Sequence, residues 1–269
     1  MSFLEAILLG ILQGLTEFLP VSSSGHLVLA QALIGLQEPL ILFDVLLHVG
    51  SLTAVIIFFR RQILNLSWRD WAYLGVGTVP AIIVGLIFES SLERMFTSPK
   101  LIGITLLITA CVNFWSDSQM DKKNQPAEKK DFPSHQSKFL GLDFIQMRRV
   151  ATVGLFQAFA LFPGVSRSGT TLAGSLKLGF SREKAFELTF LLAIPAIIGA
   201  AGWQVFKLIN QGVGLNQLAT PTFLLGAGAS FIVSLASLTL LSFVIKRARF
   251  EVFGWYCALA GAAALLYFR

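Results

Sequence analysis

Long apolar runs alternate with short breaks along the whole chain. Six runs are uninterrupted: 43–59, 71–88, 101–115, 187–206, 222–245 and 252–268. Their lengths approach the ~20 residues needed to cross ~30 Å of hydrocarbon, with some falling short. They predict six transmembrane helices. Four shorter runs flank two Pro/Ser-rich breaks: 3–18 and 25–36 around the first, 149–162 and 169–179 around the second. At ~1.5 Å per residue most of these arms reach only ~16–24 Å. Each pair therefore predicts a re-entrant hairpin that turns near mid-membrane and leaves on the side it entered. Irregular backbone at that depth needs protein or a wet cavity around it.

The two breaks are copies of one another. Residues 10–25 align without a gap on 154–169, an offset of 144, and seven of the sixteen pairs are identical: Gly10/Gly154, Gln13/Gln157, Phe18/Phe162, Val21/Val165, Ser22/Ser166, Ser24/Ser168 and Gly25/Gly169. A weaker echo follows, since Phe43-Asp44 and Phe186-Glu187 each put a carboxylate at a span start. Paired broken helices in corresponding halves are the best sequence pointer to a membrane binding site. The expected architecture is an all-α membrane protein, 1–269, built as an inverted-topology repeat. Its halves are 1–115 and 139–269. The polar stretch 116–138 between them is too rich in Lys, Asn, Gln, Glu and Pro to build a core, and reads as a mobile cytoplasmic loop.

Composition agrees with a membrane protein. Hydrophobic residues make up 55% and charged residues 13%, about half the charge of a soluble domain. Mean hydropathy is +0.72. The start of the chain has neither a basic region nor a small-residue cleavage site, so no signal peptide is read. Cys111 and Cys257 sit singly in apolar spans and read as inert buried thiols. The net charge of +6 points to membrane orientation rather than nucleic acid. With one hairpin and three spans per half, one side receives fifteen basic residues, among them Arg60, Arg61, Arg69, Arg148, Arg149, Arg182 and Arg249. The other receives Arg94, Lys100, Lys207 and Arg269. The positive-inside rule makes the first side cytoplasmic and puts both termini outside. An odd number of crossings per half inverts the second half, so the two hairpin tips can meet near the midplane.

The tips differ in their chemistry. The first carries Glu17, then Ser22, Ser23 and Ser24, then His26; the second carries Ser166, Arg167, Ser168, Thr170 and Thr171. A carboxylate at membrane depth costs ~2.5–3.5 kcal/mol on insertion scales, so it needs a partner or a function. A break followed by a helix offers free N–H groups and a positive dipole end to an anion, and Arg167 adds a planar fork matched to phosphate. An acid/base pair with hydroxyl nucleophiles would thus face an anion cradle, the parts of phosphoryl chemistry on a lipid-tailed substrate. A purely structural reading also stands: Glu17 locked to Arg167 as a buried pair, Ser22 and Ser168 as caps, Gln13 and Gln157 as matched interface groups. His48 reads as a span residue bonded to nearby backbone, and His135 as solvated in the linker.

These residues resemble those of the undecaprenyl-diphosphate phosphatase family, the integral membrane enzymes associated with bacitracin resistance. That family carries E/Q-x-x-x-E followed by F-L-P-[IV]-S-S-[ST]-G-H, here Gln13 to Glu17 and Phe18 to His26. It also carries P-G-x-S-R-S-x-x-T, here Pro163 to Thr171. The resemblance covers essentially the whole chain. It implies hydrolysis of undecaprenyl diphosphate to the monophosphate and inorganic phosphate at the outer side of a bacterial plasma membrane, recycling a cell-wall lipid carrier. It implies essential roles for Glu17, His26, Ser23 and Arg167, with Ser166 and Thr171 in support and Gln13, Ser22, Ser24, Ser168 and Thr170 near the substrate. Many members have Glu where this chain has Gln13. A protein-held Mg²⁺ or Ca²⁺ clamp is therefore reduced to Glu17, with a divalent cation arriving on the diphosphate; no organic cofactor is implied. The partners expected are the polyprenyl diphosphate and the bilayer, with bacitracin related only through the shared lipid, and a homodimer is compatible with a membrane protein of this size. A flippase or exporter of a phosphorylated lipid is the alternative, because it would use the same cradle.

Overall fold

A computed structural model describes residues 1–36, 40–123, 144–212, 220–244 and 249–268. The described residues are helical, with no strand among them. In order the helices are α1 (Phe3–Thr16), α2 (Ser23–Leu33), α3 (Ile41–Phe58), α4 (Arg60–Leu64), α5 (Trp68–Ile87), α6 (Glu89–Phe96), α7 (Pro99–Lys123), α8 (Phe144–Phe159), α9 (Arg167–Lys177), α10 (Arg182–Asn210), α11 (Pro221–Val244) and α12 (Glu251–Tyr267). Among the described residues five helices are long and apolar enough to cross a membrane: α3, α5, α7, α10 and α11. The sixth expected span, α12, is 17 residues long and falls just below that length. Helix α7 runs into the stretch expected to be a linker, as far as Lys123; residues 124–143, including His135, lie outside the described residues.

Local sequence sets the helix boundaries. Ser2 and Glu5 form a reciprocal capping box at the start of α1, and Ser67 and Asp70 form another at the start of α5, satisfying amides that lack intrahelical acceptors. The second arms end alike. Gly35 and Gly179, again 144 residues apart, have φ of +79° and +97°. After each, a backbone amide reaches back five residues: Leu36 N–H donates to Gln31 O at 3.0 Å, and Phe180 N–H to Ser175 O at 3.1 Å. This left-handed termination favours Gly. The copy is thus structural as far as residues 36 and 180, beyond the stretch where identity is visible.

Packing crosses between the halves. Helix α1 lies on α11 and α8 lies on α5; α7 lies on α12, and α3 on both α10 and α11. Small residues allow these approaches, as van der Waals packing between membrane helices requires. Gly10 meets the backbone of Gly226, and its sequence partner Gly154 meets the backbone of Gly77. The bundle ends are tied by polar contacts. Lys207, near the end of α10, pairs with Glu89 at 2.8 Å and Glu93 at 2.7 Å on α6. At the other end of α5 and α7, Asp117 accepts from the Phe250 amide at 2.8 Å. Leu4, Ile82, Ile83, Ile87, Ile232, Leu240, Leu259 and Leu266 face outward, the apolar exterior of a multi-pass membrane protein.

Candidate active site

The two breaks lie against each other in the middle of the bundle, and most of their shared residues hold them there. Ser22 caps α2 by accepting from the Gly25 amide at 3.3 Å; Ser166 caps α9 by accepting from the Gly169 amide at 3.1 Å. Gly25 packs on Gly164, and Gly169 packs on Pro20. Pro20 and Gly164 are themselves 144 residues apart, so each glycine rests on the other tip in a reciprocal contact. A Cβ at either glycine would lie 3.0–3.2 Å from that neighbour.

Helix α7 fastens both tips with two side chains one turn apart. Thr109 Oγ1–H donates to Gly164 O at 2.8 Å and accepts from the Ser166 amide at 3.0 Å. Asn113 Nδ2 donates to Pro20 O at 2.7 Å. Ser168 Oγ–H crosses directly to Leu19 O at 3.0 Å. The tips are therefore registered by three buried side chains, at least two of which neither motif would single out.

Glu17 is where the tips meet chemically. Arg167 Nη2 donates to Glu17 Oε1. Glu17 Oε2 accepts from Gln13 Nε2 at 2.9 Å and from Ser23 Oγ at 2.6 Å. His48 Nε2 stands 3.6 Å from the same oxygen. The Glu17 side chain is 4% exposed, while its neighbours Arg167 and His48 are 16% and 28% exposed. Arg167 Nη1 is buried and has no acceptor among the described residues. The amides of Arg167 and Ser168 open the first turn of α9, where no intrahelical carbonyl reaches them. An uncommitted guanidinium nitrogen beside a helix N-terminus is an anion-binding arrangement. A hydroxyl 2.6 Å from a carboxylate has a proton acceptor in hydrogen-bond reach, the geometry that activation of a nucleophile needs.

The other residues named from sequence fall around this centre. Gln13 bonds Glu17, and its Nε2 also reaches Ser51 Oγ at 3.4 Å. Ser24 Oγ lies 3.4 Å from Ser22 Oγ. The hydroxyls of Thr170 and Thr171 donate back to Ser166 O and Arg167 O, each at 2.6 Å, and so brace α9. His26 is not joined to Glu17 or Ser23. Its Nδ1 bonds Ser22 O and its Nε2 bonds Tyr256 Oη, both at 2.7 Å.

Sequence reasoning does not point to Thr109, Asn113 or Tyr256, and it reads His48 as bonded to backbone alone. His48 does donate from Nδ1 to Asp44 O at 2.7 Å, but its other nitrogen faces Glu17. The spacing of Thr109 and Asn113, one turn apart within the apolar stretch 101–115 of α7, is a signal that could have found them. Tyr256 lies 230 residues from His26 and offers no such signal.

Glu17 and Gln13 carry carboxylate and amide oxygens, the ligand type that suits a hard cation. Gln13 Oε1 is buried beside Glu17 and uncommitted. Among the described residues no group of three or more His, Cys, Asp or Glu could hold a metal by itself. The residues fit a cation that arrives already ligated.

A family model described as bacitracin resistance protein BacA matches residues 6–263. The chain is 35% identical to an undecaprenyl-diphosphatase from Carboxydothermus hydrogenoformans over 99% of this chain and 97% of that protein. It is 37% identical to the undecaprenyl-diphosphatase of Geobacter metallireducens, over 99% and 98% of the two chains. It is 34% identical to that of Korarchaeum cryptofilum, over 98% and 99%.

Proposed function

The chain belongs to the bacitracin resistance protein BacA family, and on that premise we propose that it hydrolyses undecaprenyl diphosphate to undecaprenyl phosphate and inorganic phosphate. The observation that carries this reading is the junction of Glu17, Ser23 and Arg167 at the meeting of two helix breaks. Arg167 Nη1 and the first amides of α9 take the terminal phosphate while Nη2 stays on Glu17. Ser23 Oγ attacks phosphorus and its proton passes to Glu17 Oε2. The bond from phosphorus to the bridging oxygen breaks, and undecaprenyl phosphate leaves. Water then cleaves the seryl phosphate, with His26 one turn along α2 as its acid/base group. Charge on the transferring group is met by fixed donors, whose stabilisation needs no reorganisation during the reaction. A divalent cation carried on the diphosphate would neutralise phosphate charge, and Glu17 and Gln13 Oε1 are the residues to hold it.

The same reading includes the membrane arrangement. The two halves are inverted repeats, each with a re-entrant hairpin. Supporting this are the matched pairings of α1 with α11 and α8 with α5, and the reciprocal glycine contacts at the tips. Both termini face outward and the site opens to the outer face of a bacterial plasma membrane. Here the support is the basic-residue asymmetry, together with the pairing of Lys207 and Glu89 at one bundle end. Hydrolysis there returns the carrier lipid to cell-wall synthesis and lowers the diphosphate pool to which bacitracin is linked.

The test is phosphate release from undecaprenyl diphosphate by purified protein in detergent, with no gradient present. Glu17→Ala and Arg167→Ala are each expected to abolish release. Release persisting in both would sink the enzyme reading and return the lipid-transporter alternative. Repeating the assay with chelator measures the need for a cation. Labelled phosphate trapped on the protein under rapid quench supports Ser23 as nucleophile; a protein that never carries label points to direct attack by water.

A further inference from the structure

The hydrogen bonds at His26 fix which of its nitrogens can act. Ser22 O is a carbonyl and can only accept, so the His26 nitrogen 2.7 Å from it, Nδ1, carries a proton. In the neutral ring Nε2 then bears the lone pair, and the Tyr256 hydroxyl 2.7 Å away is its donor. The planes of the two rings are nearly parallel, 7° apart with centroids at 5.5 Å.

The backbone is bent to make this possible. Ser22 has φ +71°, and it is the only residue other than Gly with positive φ among the described residues. A conformation of this kind is strained and persists where the surroundings over-determine it. Ser22 O receives both the His26 amide at 3.2 Å and the ring Nδ1–H. Its counterpart Ser166 caps α9 with an ordinary φ of −73°, and that tip has Thr170 where the first has His26. The unusual turn accompanies the histidine.

We propose that Tyr256 is a positioning residue for the reaction. Its hydroxyl and the Ser22 carbonyl hold His26 from opposite sides in the Nδ1–H tautomer, leaving Nε2 as the nitrogen that accepts and returns a proton. Ring orientation set through the far nitrogen is how proteins commonly fix a working histidine. Here a second helix, α12, acts on the near nitrogen as well. Tyr256 is half-exposed, so its hydroxyl can swing off Nε2 when a phosphate or water takes its place, without disturbing the core.

The kinetic part rests on the phosphatase reading; the tautomer does not. The test uses full-length protein in detergent, wild type against Tyr256→Phe, which keeps the ring and removes one oxygen. With ¹⁵N-labelled histidine and no substrate, the His26 signal, assigned by its loss in His26→Asn, should report protonated Nδ1 and a hydrogen-bonded, unprotonated Nε2. Tyr256→Phe should shift the Nε2 resonance and leave Nδ1 in place. Its kcat should fall about tenfold, the scale of one lost neutral hydrogen bond, with KM within twofold. In a His26→Asn background the same substitution should change kcat by less than twofold, because the effect runs through the histidine. An unmoved Nε2 resonance, a protonated Nε2 in the wild type, or a Tyr256→Phe loss that persists without His26 would each overturn the proposal. A wild-type protein that releases no phosphate but shows the expected tautomer would instead overturn the phosphatase reading alone.

Discussion

The two copies of the broken-helix segment divide their work by identity. Most positions that match do the same structural task twice: Gly10 and Gly154 let a helix of the other half approach, Ser22 and Ser166 cap, and Gly25 and Gly169 seat each tip on the other. Positions that differ carry the reactive groups. Glu17 aligns with Leu161, Ser23 with Arg167 and His26 with Thr170. Of these six residues, Glu17, Ser23 and Arg167 meet in one cluster. A duplicated scaffold thus supplies two well-registered tips, and divergence between them makes a single asymmetric site. In the proposed reaction the base and the hydroxyl come from one copy and the anion-binding cation from the other.

That division predicts a sharp contrast between neighbouring serines. Ser23 is unmatched and bonds Glu17 at 2.6 Å; Ser24 is matched by Ser168 and reaches only Ser22 Oγ at 3.4 Å. Ser23→Ala should lower kcat by at least ~10³-fold, the range seen when a group acting directly in the transition state is removed. Ser24→Ala should stay within a few-fold. Steady-state phosphate release by the two variants checks this, and equal losses would break the distinction between scaffold and chemistry.

The ties from α7 sit between these extremes. Asn113→Leu removes the donor to Pro20 O, and Thr109→Val removes both bonds to the second tip. Each leaves buried backbone groups without partners, a cost of about 1–3 kcal/mol. Both variants should unfold at lower temperature in detergent and lose activity together with stability, because either tip shifting parts Glu17 from Arg167. A variant as stable as wild type would show that the tips are held by packing alone.

Much of this was legible in the chain. The apolar runs predict the spans because a bilayer demands length and hydrophobicity, and the Pro/Ser breaks predict short arms for the same reason. The expected meeting of Glu17 with Arg167 is observed. What was not legible depends on contacts between distant helices. Sequence nearness suggested His26 as the partner of Glu17, but it sits beyond a six-residue break, and the turn at Ser22 aims its ring at α12 instead. His48 looked like a lone span histidine because the approach of α3 to the first tip is set by packing on α10 and α11, which no local pattern reports.

The smallest effect tests an exception to the division. Gln13 and Gln157 are identical and both buried, yet only Gln13 has partners, Glu17 and Ser51. Both polar atoms of Gln157 lack partners among the described residues. In the second copy Leu161 stands where Glu17 would be, so the amide has outlived the carboxylate it would have served. An unpaired buried amide costs about 1–3 kcal/mol, and an apolar side chain of similar volume removes that cost. Gln157→Leu should therefore leave kcat and KM unchanged and raise stability by about 1 kcal/mol, read as a higher unfolding temperature in detergent. Gln13→Leu, made as the paired control, should lose about tenfold in activity because Glu17 Oε2 forfeits a charge-assisted donor. A Gln157→Leu protein that is less active than wild type would mean that the second copy keeps a polar task of its own.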